Sequence, residues 1–339
     1  MVVVERRGPS EMRVAREAVA QTRILNILQK QGVANLRTLE HKIADAGPYN
    51  QRVQPHIITS AKQALLRRGD LIITDYERSQ WYHRANENPA KIQARLAELQ
   101  PIWARFTNGA TAARTGQALE IAVWRALRAA GIDVYGGFDD LNQHDDSKLY
   151  HKVELQSFNG ATIGKHALDF IVRVGNHHCG IEVKNTRPWF YAHDPDLREL
   201  IRKALTLQVQ PVLIARRIQY VTFRVLGTCG LIMHETYNQR MANADTELAN
   251  LARHKDLLGY HDIRTGNLAD ARLANFFTKS LPAIVDQAQE KVARYRDLLW
   301  AFSAEKMAYE EFAARVRRRE QGQNEDNDWP DEASEGQVD

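Results

Sequence analysis

Cysteine is scarce in this chain of 339 residues, which contains Cys179 and Cys229 and no other cysteine. Two cysteines exclude a disulfide scaffold and a cysteine-based zinc site, so we expect a protein of the reducing cytoplasm. Uncharged apolar stretches fall short of the roughly 18 residues that a membrane helix needs, which predicts no membrane partner. The first residues lack the apolar core of a signal peptide, and the absence of a GxxxxGK(S/T) loop predicts no ATP site.

Positive charge is concentrated in the front part of the chain. Residues 1–110 contain 17 Lys and Arg against 10 Asp and Glu, which is a net charge of +7. By contrast, residues 321–339 contain seven acidic residues and no Lys or Arg. A basic region is typical of a protein that binds an anionic partner, most often nucleic acid, although basic surfaces also serve solubility alone. We expect the acidic tail to be disordered.

Apolar spacing in the front part predicts three helices followed by two short strands. The helices are expected at residues 11–31, 35–46 and 53–68, and the strands at residues 71–74 and 78–83. This order resembles a winged helix-turn-helix, which implies that the third helix enters a DNA groove and that the wing meets phosphate.

The expected DNA contacts are side chains on the outer face of the third helix and one arginine of the wing. They are His56, Thr59, Lys62, Gln63, Arg67 and Arg78. Winged helices also bind proteins, so a dimerisation or interdomain module is the alternative interpretation of this region.

Three more segments and a tail follow the winged-helix domain, which we place at residues 1–88. A linking helix is expected at residues 89–110, a larger second domain at residues 111–240 and a helical extension at residues 241–320, before the tail at residues 321–339. The apolar pattern of the extension suits packing on the second domain or pairing with a second subunit. A homodimer is therefore a possible assembly.

The second domain contains three acids and one lysine that folding can bring together. Glu120 lies beside the apolar stripe of a predicted helix, and Asp169 begins a predicted strand. Glu182 and Lys184 share one face of the following strand, because side chains alternate between the two faces. A hairpin between these strands brings Asp169 near Glu182 at one end of the sheet.

Carboxylate oxygens at close range suit Mg²⁺ or Mn²⁺, which bridge to phosphate. We expect Asp169, Glu182 and the carbonyl of Val183 to hold such an ion, and Glu120 to hold a metal-bound water or a second ion. Lys184 is expected to orient or help deprotonate the attacking water, with its pKa lowered in a dry cleft.

These residues give the chain a pattern that resembles the PD-(D/E)xK nuclease superfamily. The match consists of Glu120 on the first helix, then Asp169, then Glu182-Val183-Lys184 after twelve intervening residues. The resemblance covers about residues 111–235 and implies an α/β fold with a restriction-endonuclease-like αβββαβ core and metal-dependent phosphodiester hydrolysis. The sequence departs from the family pattern at Leu168, where the family has proline.

Two further residues are candidates for assisting roles, and one segment stands out as an insertion. The resemblance implies a polar residue from the later helix, for which Gln208 is the candidate. His166, three residues before Asp169, is a candidate for a phosphate contact, with packing at the surface as the alternative. Residues 138–165 are polar and rich in turn residues, so we interpret them as a long loop or insertion.

The sequence therefore predicts a Mg²⁺- or Mn²⁺-dependent DNA endonuclease that acts on duplex or branched DNA. The expected settings are restriction, defence against foreign DNA, and processing of mobile-element or recombination DNA. One alternative is a DNA-binding regulator with an inactive nuclease-like core. Another is a Holliday-junction-resolvase-like enzyme acting on branched DNA, and RNA stays open as a substrate.

Overall fold

A computed structural model describes residues 9–45, 53–141, 146–164 and 167–325 of the protein. The chain divides into two compact units. Among the described residues, the first unit contains 9–45, 53–112 and 247–263, and the second contains 113–141, 146–164, 167–246 and 264–325. Within the described part of the chain, none of the helices combines the length and the apolar character needed to cross a membrane.

The first unit begins with helices and a small antiparallel sheet. Its elements are α1 (Pro9–Gln31), β1 (Val33–Ala34), α2 (Leu36–Glu40), α3 (Pro55–Arg68), β2 (Leu71–Tyr76), β3 (Ser79–Arg84) and α4 (Pro89–Thr107). A π-helical turn at His41–Asp45 continues α2. Proline at the first turn of α3 and left-handed Gly69 (φ 77°) after its end delimit that helix. The three strands pair antiparallel in the order β1-β3-β2.

One apolar cluster of the first unit forms between this sheet and α4. Trp81 of β3 is fully buried among Val33, Ile92, Leu96 and Leu99. Its indole N–H donates a hydrogen bond of 3.0 Å to the side-chain oxygen of Gln100 on α4. The helix that we expected to link two domains is therefore packed into the first unit.

The second unit is built around one sheet with helices before and after its strands. Its first part contains α5 (Gly109–Ala129), β4 (Asp133–Tyr135), β5 (Gly137–Phe138), β6 (Lys152–Val153), β7 (Ser157–Phe158), β8 (Ala161–Thr162), β9 (Phe170–Val174), β10 (His177–Lys184), α6 (Pro195–Leu207), β11 (Gln210–Ala215), α7 (Tyr220–Thr228) and β12 (Ile232–Glu235). The α-helices and strands that follow along the chain are β13 (Gln239–Met241), α8 (Thr246–Arg253), β14 (Ile263–Thr265), α9 (Ala271–Asn275), α10 (Leu281–Arg294), α11 (Arg296–Ser303) and α12 (Tyr309–Glu320). Residues 247–253 of α8 belong to the first unit.

The main sheet has five strands in the order β12-β11-β10-β9-β4. Strands β10, β11 and β12 are parallel to one another, and β9 is antiparallel to both β10 and β4. Apolar side chains cover both faces. One core joins the sheet to α5 and α10, and the other joins it to α6, α11 and α12. The second unit is thus a mixed α/β structure in which the strands are buried on both sides.

Two segments differ from the sequence-based expectation. Residues 138–165, expected as a long loop, contain β6, which pairs with β5, and the antiparallel pair β7 and β8. Residues 241–320, expected to be helical, also contain β14 and irregular stretches between the helices. Both cases involve strands of two or three residues, which are too short to show an alternating pattern.

Candidate active site

The hairpin of β9 and β10 places Asp169 beside Glu182. Phe170 pairs with Ile181 in the antiparallel register, so the residue before β9 lies opposite Glu182. The backbone N–H of Val183 donates a 2.7 Å hydrogen bond to Oδ2 of Asp169, which fixes this carboxylate at the sheet. The alternation of β10 buries Ile181 and Val183 on the α5 side and directs Glu182 to the opposite face, as the sequence predicts.

Glu120 reaches the same place from α5, through a lysine that no motif in the sequence marks. The ammonium of Lys152 on β6 lies 2.6 Å from Oε2 of Glu120 and 2.7 Å from Oδ1 of Asp169. A third carboxylate, that of Glu154, lies 2.9 Å from the same ammonium. Glu120 and Asp169, 49 positions apart, are therefore joined by one buried cation.

The other side of the site is formed by α6. Lys184 Nζ lies 3.0 Å from Oε1 of Glu182 and 2.9 Å from Oδ2 of Asp196, at the start of that helix. Lys203, one turn before the end of α6, lies 3.1 Å from Glu199 and 3.8 Å from Oε2 of Glu182. This Oε2 is buried and has no hydrogen-bond partner.

These groups form two ion-pair networks, one around Lys152 and one around Lys184 and Lys203, which meet at the β9–β10 hairpin and which together we call the carboxylate cluster. It contains six acids and three lysines: Glu120, Glu154, Asp169, Glu182, Asp196, Glu199, Lys152, Lys184 and Lys203. Burial, together with the negative charge of Asp169, raises the pKa of Glu120 and that of Glu182 to about 7. The acids thus outnumber the cations, and two of them hold their protons unusually tightly.

The structure corrects the expected state of Lys184. Burial alone would lower the pKa of its ammonium, as the sequence analysis assumed, but the charges and hydrogen bonds of Glu182 and Asp196 outweigh burial and raise it. The same balance, set by Asp169 and Glu120, raises the pKa of Lys152. Both lysines are therefore cations at neutral pH, so Lys184 is suited to donating hydrogen bonds and unsuited to removing a proton from water.

Gln208, the candidate for an assisting role from the later helix, is not part of the carboxylate cluster. Gln208 is exposed at the C-terminal end of α6, where its backbone is left-handed (φ 55°), and Lys203 is the residue of that helix that reaches Glu182. His166 lies outside the described residues. Sequence spacing contains a signal for Lys203, since Asp196, Glu199 and Lys203 share one face of a helix. No comparable signal marks Lys152, which comes from the insertion.

The residues expected to contact DNA lie on α3 and in the β2–β3 turn of the first unit. His56, Gln63 and Arg67 are exposed on α3, and Arg78 is exposed at the tip of the turn. Although His56 is exposed, neighbouring atoms partly desolvate its ring, and this together with the charges of Arg13 and Arg16 lowers its pKa, so the residue is neutral at pH 7. Thr59 and Lys62 are half-buried: the Thr59 hydroxyl donates to the carbonyl of Pro55, and the Lys62 ammonium donates to the Tyr82 hydroxyl at 3.3 Å. Two of the side chains expected to contact DNA from the outer face of α3, those of Thr59 and Lys62, are therefore less exposed than predicted.

A second buried polar group of residues, which we call the histidine cluster, lies in the first unit. Nδ1 of His41 is 3.0 Å from Oδ2 of Asp45 and 3.8 Å from Oδ1 of Asp262. These three side chains offer ligand atoms within 4.8 Å of one another, a geometry that could hold a metal ion. However, Nε2 of His41 is also engaged, 2.9 Å from Nδ1 of His261. Because both ring nitrogens have protein partners, we interpret the histidine cluster as a structural hydrogen-bond network.

Comparison of the chain with protein-family models, with curated proteins and with solved structures finds no match in any of the three. What the chain does must therefore be argued from its own residues. Of the two clusters described above, the carboxylate cluster combines an excess of acids, raised carboxyl pKa values and a buried carboxylate oxygen without a hydrogen bond. These features favour a cation site, although the three-residue ligand geometry found among the described residues is that of the histidine cluster.

Proposed function

We propose that the second unit is a divalent-metal-dependent nuclease with a restriction-endonuclease-like core of the PD-(D/E)xK type, acting on DNA. The observation that carries this proposal is the convergence of Glu120, Asp169, Glu182 and Lys184 in one cluster at the β9–β10 hairpin. The element order α5, β4, β9, β10, α6, β11 supports the proposal because it follows the αβββαβ core of that superfamily.

The donor set of the cluster fits Mg²⁺ or Mn²⁺. The ligands that it offers are carboxylate oxygens, which both ions prefer. One of them, Oε2 of Glu182, is buried and accepts no hydrogen bond. Asp169, Glu182 and Glu120 would hold the ion, with the carbonyl of Val183 as a further candidate ligand. When bound, such an ion polarises a phosphodiester and stabilises the charge that develops on its oxygens.

The lysines of the site have roles that follow from their charge. Lys184 is held between Glu182 and Asp196 with its proton, so its ammonium can donate hydrogen bonds to a phosphate oxygen or orient a water molecule. Lys203 stands behind Glu182, at 3.8 Å, and limits the repulsion among the acids on that side. Proton removal from water falls instead to a carboxylate of the cluster that does not hold the ion.

We further propose that the first unit binds DNA as a winged helix. The proposal is supported by the order of α1, α2 and α3 followed by the β2–β3 hairpin, by the net charge of +7 over residues 1–110, and by the exposed Arg67 and Arg78. In this arrangement α3 meets base edges, and Arg78 at the tip of the wing meets phosphate. A homodimer is the assembly that a palindromic site would call for.

Cleavage assays with supercoiled, linear and branched DNA, each in Mg²⁺ or in EDTA, test the nuclease proposal. We expect nicking or cutting that requires the metal and is lost in Asp169→Ala and Lys184→Ala. Lys148→Ala is the matched control, because Lys148 is an exposed lysine of the insertion outside the cluster. Cleavage confined to branched DNA would favour a resolvase-like enzyme. DNA binding without cleavage of any substrate would instead favour a regulator with an inactive core.

A further inference from the structure

The ammonium of Lys152 occupies the position between two of the acids that the proposed function assigns to a metal ion. It lies within 2.7 Å of a carboxylate oxygen of both Glu120 and Asp169. The side chain is only 7% exposed, and its ammonium lies 5.0 Å from the ring of Phe170 and 6.0 Å from that of Phe138. Lys152 is thus a buried cation that is held by oxygen ligands on one side and aromatic rings on the other.

The backbone that carries Lys152 is fixed to α5. The side chain of Gln117 accepts a hydrogen bond from the backbone N–H of Tyr150 (2.6 Å) and donates one to its carbonyl (2.8 Å). At the other strand of the pair, Gly137 (φ 108°) lies so close to the ring of Trp124 that a Cβ would be 2.4 Å from it. The backbone of Lys152 is therefore held in place, and only its flexible side chain can move into or out of the site.

In this arrangement Lys152 and a divalent ion would compete for one carboxylate oxygen of Asp169. Oδ2 of Asp169 accepts the N–H of Val183, so Oδ1 is the oxygen that an ion would use, and Lys152 bonds to it. Resting on the proposed nuclease function, we propose that the Lys152 ammonium is a built-in placeholder for the divalent ion. The ion can bind between Glu120 and Asp169 only when the lysine side chain withdraws.

The carboxylate of Glu154 can hold the Lys152 ammonium after it has left Glu120 and Asp169. This carboxylate lies 2.9 Å from Lys152 Nζ, and at 43% exposure it is the most exposed of the three partners. Rotation about the lysine stem can keep this ion pair while it releases the two inner acids. The placeholder neutralises the acids in the absence of metal, and its displacement weakens the apparent affinity for the ion.

Direct Mn²⁺ binding tests this inference without depending on cleavage. The full chain, stripped with EDTA and dialysed, is titrated with Mn²⁺ while free Mn²⁺ is followed by electron paramagnetic resonance. We expect Lys152→Met to bind Mn²⁺ about tenfold more tightly than the wild type. Lys152→Gln, which keeps a donor but loses the charge, is expected to show a smaller gain. Lys148→Met is the matched control and should bind as the wild type does.

The outcomes separate this inference from the proposed function. If the wild type binds Mn²⁺ and both Lys152 variants, folded by circular dichroism, bind it equally or more weakly, the placeholder is wrong and the nuclease proposal stands. If neither the wild type nor any Lys152 variant binds Mn²⁺, both proposals are wrong. Should Lys152→Met fail to fold, Lys152→Gln decides the question by the same comparison.

Discussion

The carboxylate cluster and the histidine cluster are both buried and polar, but they differ in how their charges are matched. In the histidine cluster, the two ring nitrogens of His41 face Asp45, Asp262 and His261, and the ring of Tyr260 packs edge-on at 5.4 Å. In the carboxylate cluster, three lysines face six acids, and one buried acceptor has no hydrogen bond. We expect the excess of acids and the raised carboxyl pKa values, more than burial alone, to distinguish a cation site from a structural network, and the variants below test this expectation.

Removal of one carboxylate from each cluster gives the largest contrast. We expect Asp169→Asn to lower metal-dependent cleavage by about 10³-fold and to abolish tight Mn²⁺ binding, because it removes a ligand charge at the centre of the cluster. Asp45→Asn, the matched change in the histidine cluster, should leave Mn²⁺ binding intact. Loss of metal binding in Asp45→Asn alone would reverse the roles that we assign to the two clusters.

We expect the histidine cluster, unlike the carboxylate cluster, to contribute to the stability of the protein and not to metal binding. We expect His41→Ala to lower the free energy of unfolding by about 2–3 kcal/mol, since it removes the buried ring that contacts the carboxylate of Asp45 and packs against Tyr260. Urea unfolding of the wild type and the variant, both in EDTA, measures this loss. A second measurement compares the unfolding free energy of the wild type with and without EDTA. If EDTA alone lowered it by as much as His41→Ala does, the histidine cluster would hold a metal ion and our structural interpretation of it would be wrong.

The carboxylate cluster was partly predictable from the sequence because part of it follows a local pattern. Asp169, Glu182 and Lys184 lie on two consecutive strands, where a hairpin and the alternation of side chains determine which residues meet. The position of Glu120 beside an apolar helical stripe also limited where it could point.

The other contacts of the two clusters join segments that are distant in the chain, and such tertiary contacts produce no periodic pattern in the sequence. Lys152 belongs to a two-residue strand in a polar insertion, and its role depends on how that insertion packs on α5. His41 and Asp262 are more than 200 positions apart in the chain, so their meeting has no local signal. The pKa of Lys184 was predicted in the wrong direction because Asp196, its second acidic partner, lies on a different element.

The carboxylate cluster should also make stability depend on pH in an unusual direction. Folding raises the pKa of Glu120 and Glu182 from 4.5 to about 7, so between these values the folded protein binds more protons than the unfolded chain. Stability therefore falls as the pH rises through this range and is regained on acidification. We expect the melting temperature in EDTA to rise between about pH 7 and pH 5, and this rise to shrink in Glu120→Gln.

Metal binding supplies the control for this pH effect. A divalent ion binds the deprotonated carboxylates, so Mn²⁺ affinity should increase as the pH rises toward about 7 while the metal-free protein loses stability. A Mn²⁺ affinity that is constant over this range would show that Glu120 and Glu182 are not the titrating ligands.

The smallest expected effects lie on the surface of the first unit, away from both clusters. Arg67 and Arg78 are exposed, so their replacement by alanine should not alter folding. If they contact phosphate, each change should weaken DNA binding severalfold and lower the slope of log K against log salt by about 0.9. Fluorescence anisotropy with labelled duplex at several salt concentrations measures this slope, and Arg128→Ala, in the second unit, is the control. Under the proposed function, cleavage at saturating DNA should stay at the wild-type rate in Arg78→Ala, because this arginine would contribute to binding while the carboxylate cluster would perform the chemistry. An unchanged slope in both variants would contradict DNA binding through this face and would favour the interpretation of the first unit as a protein-binding module.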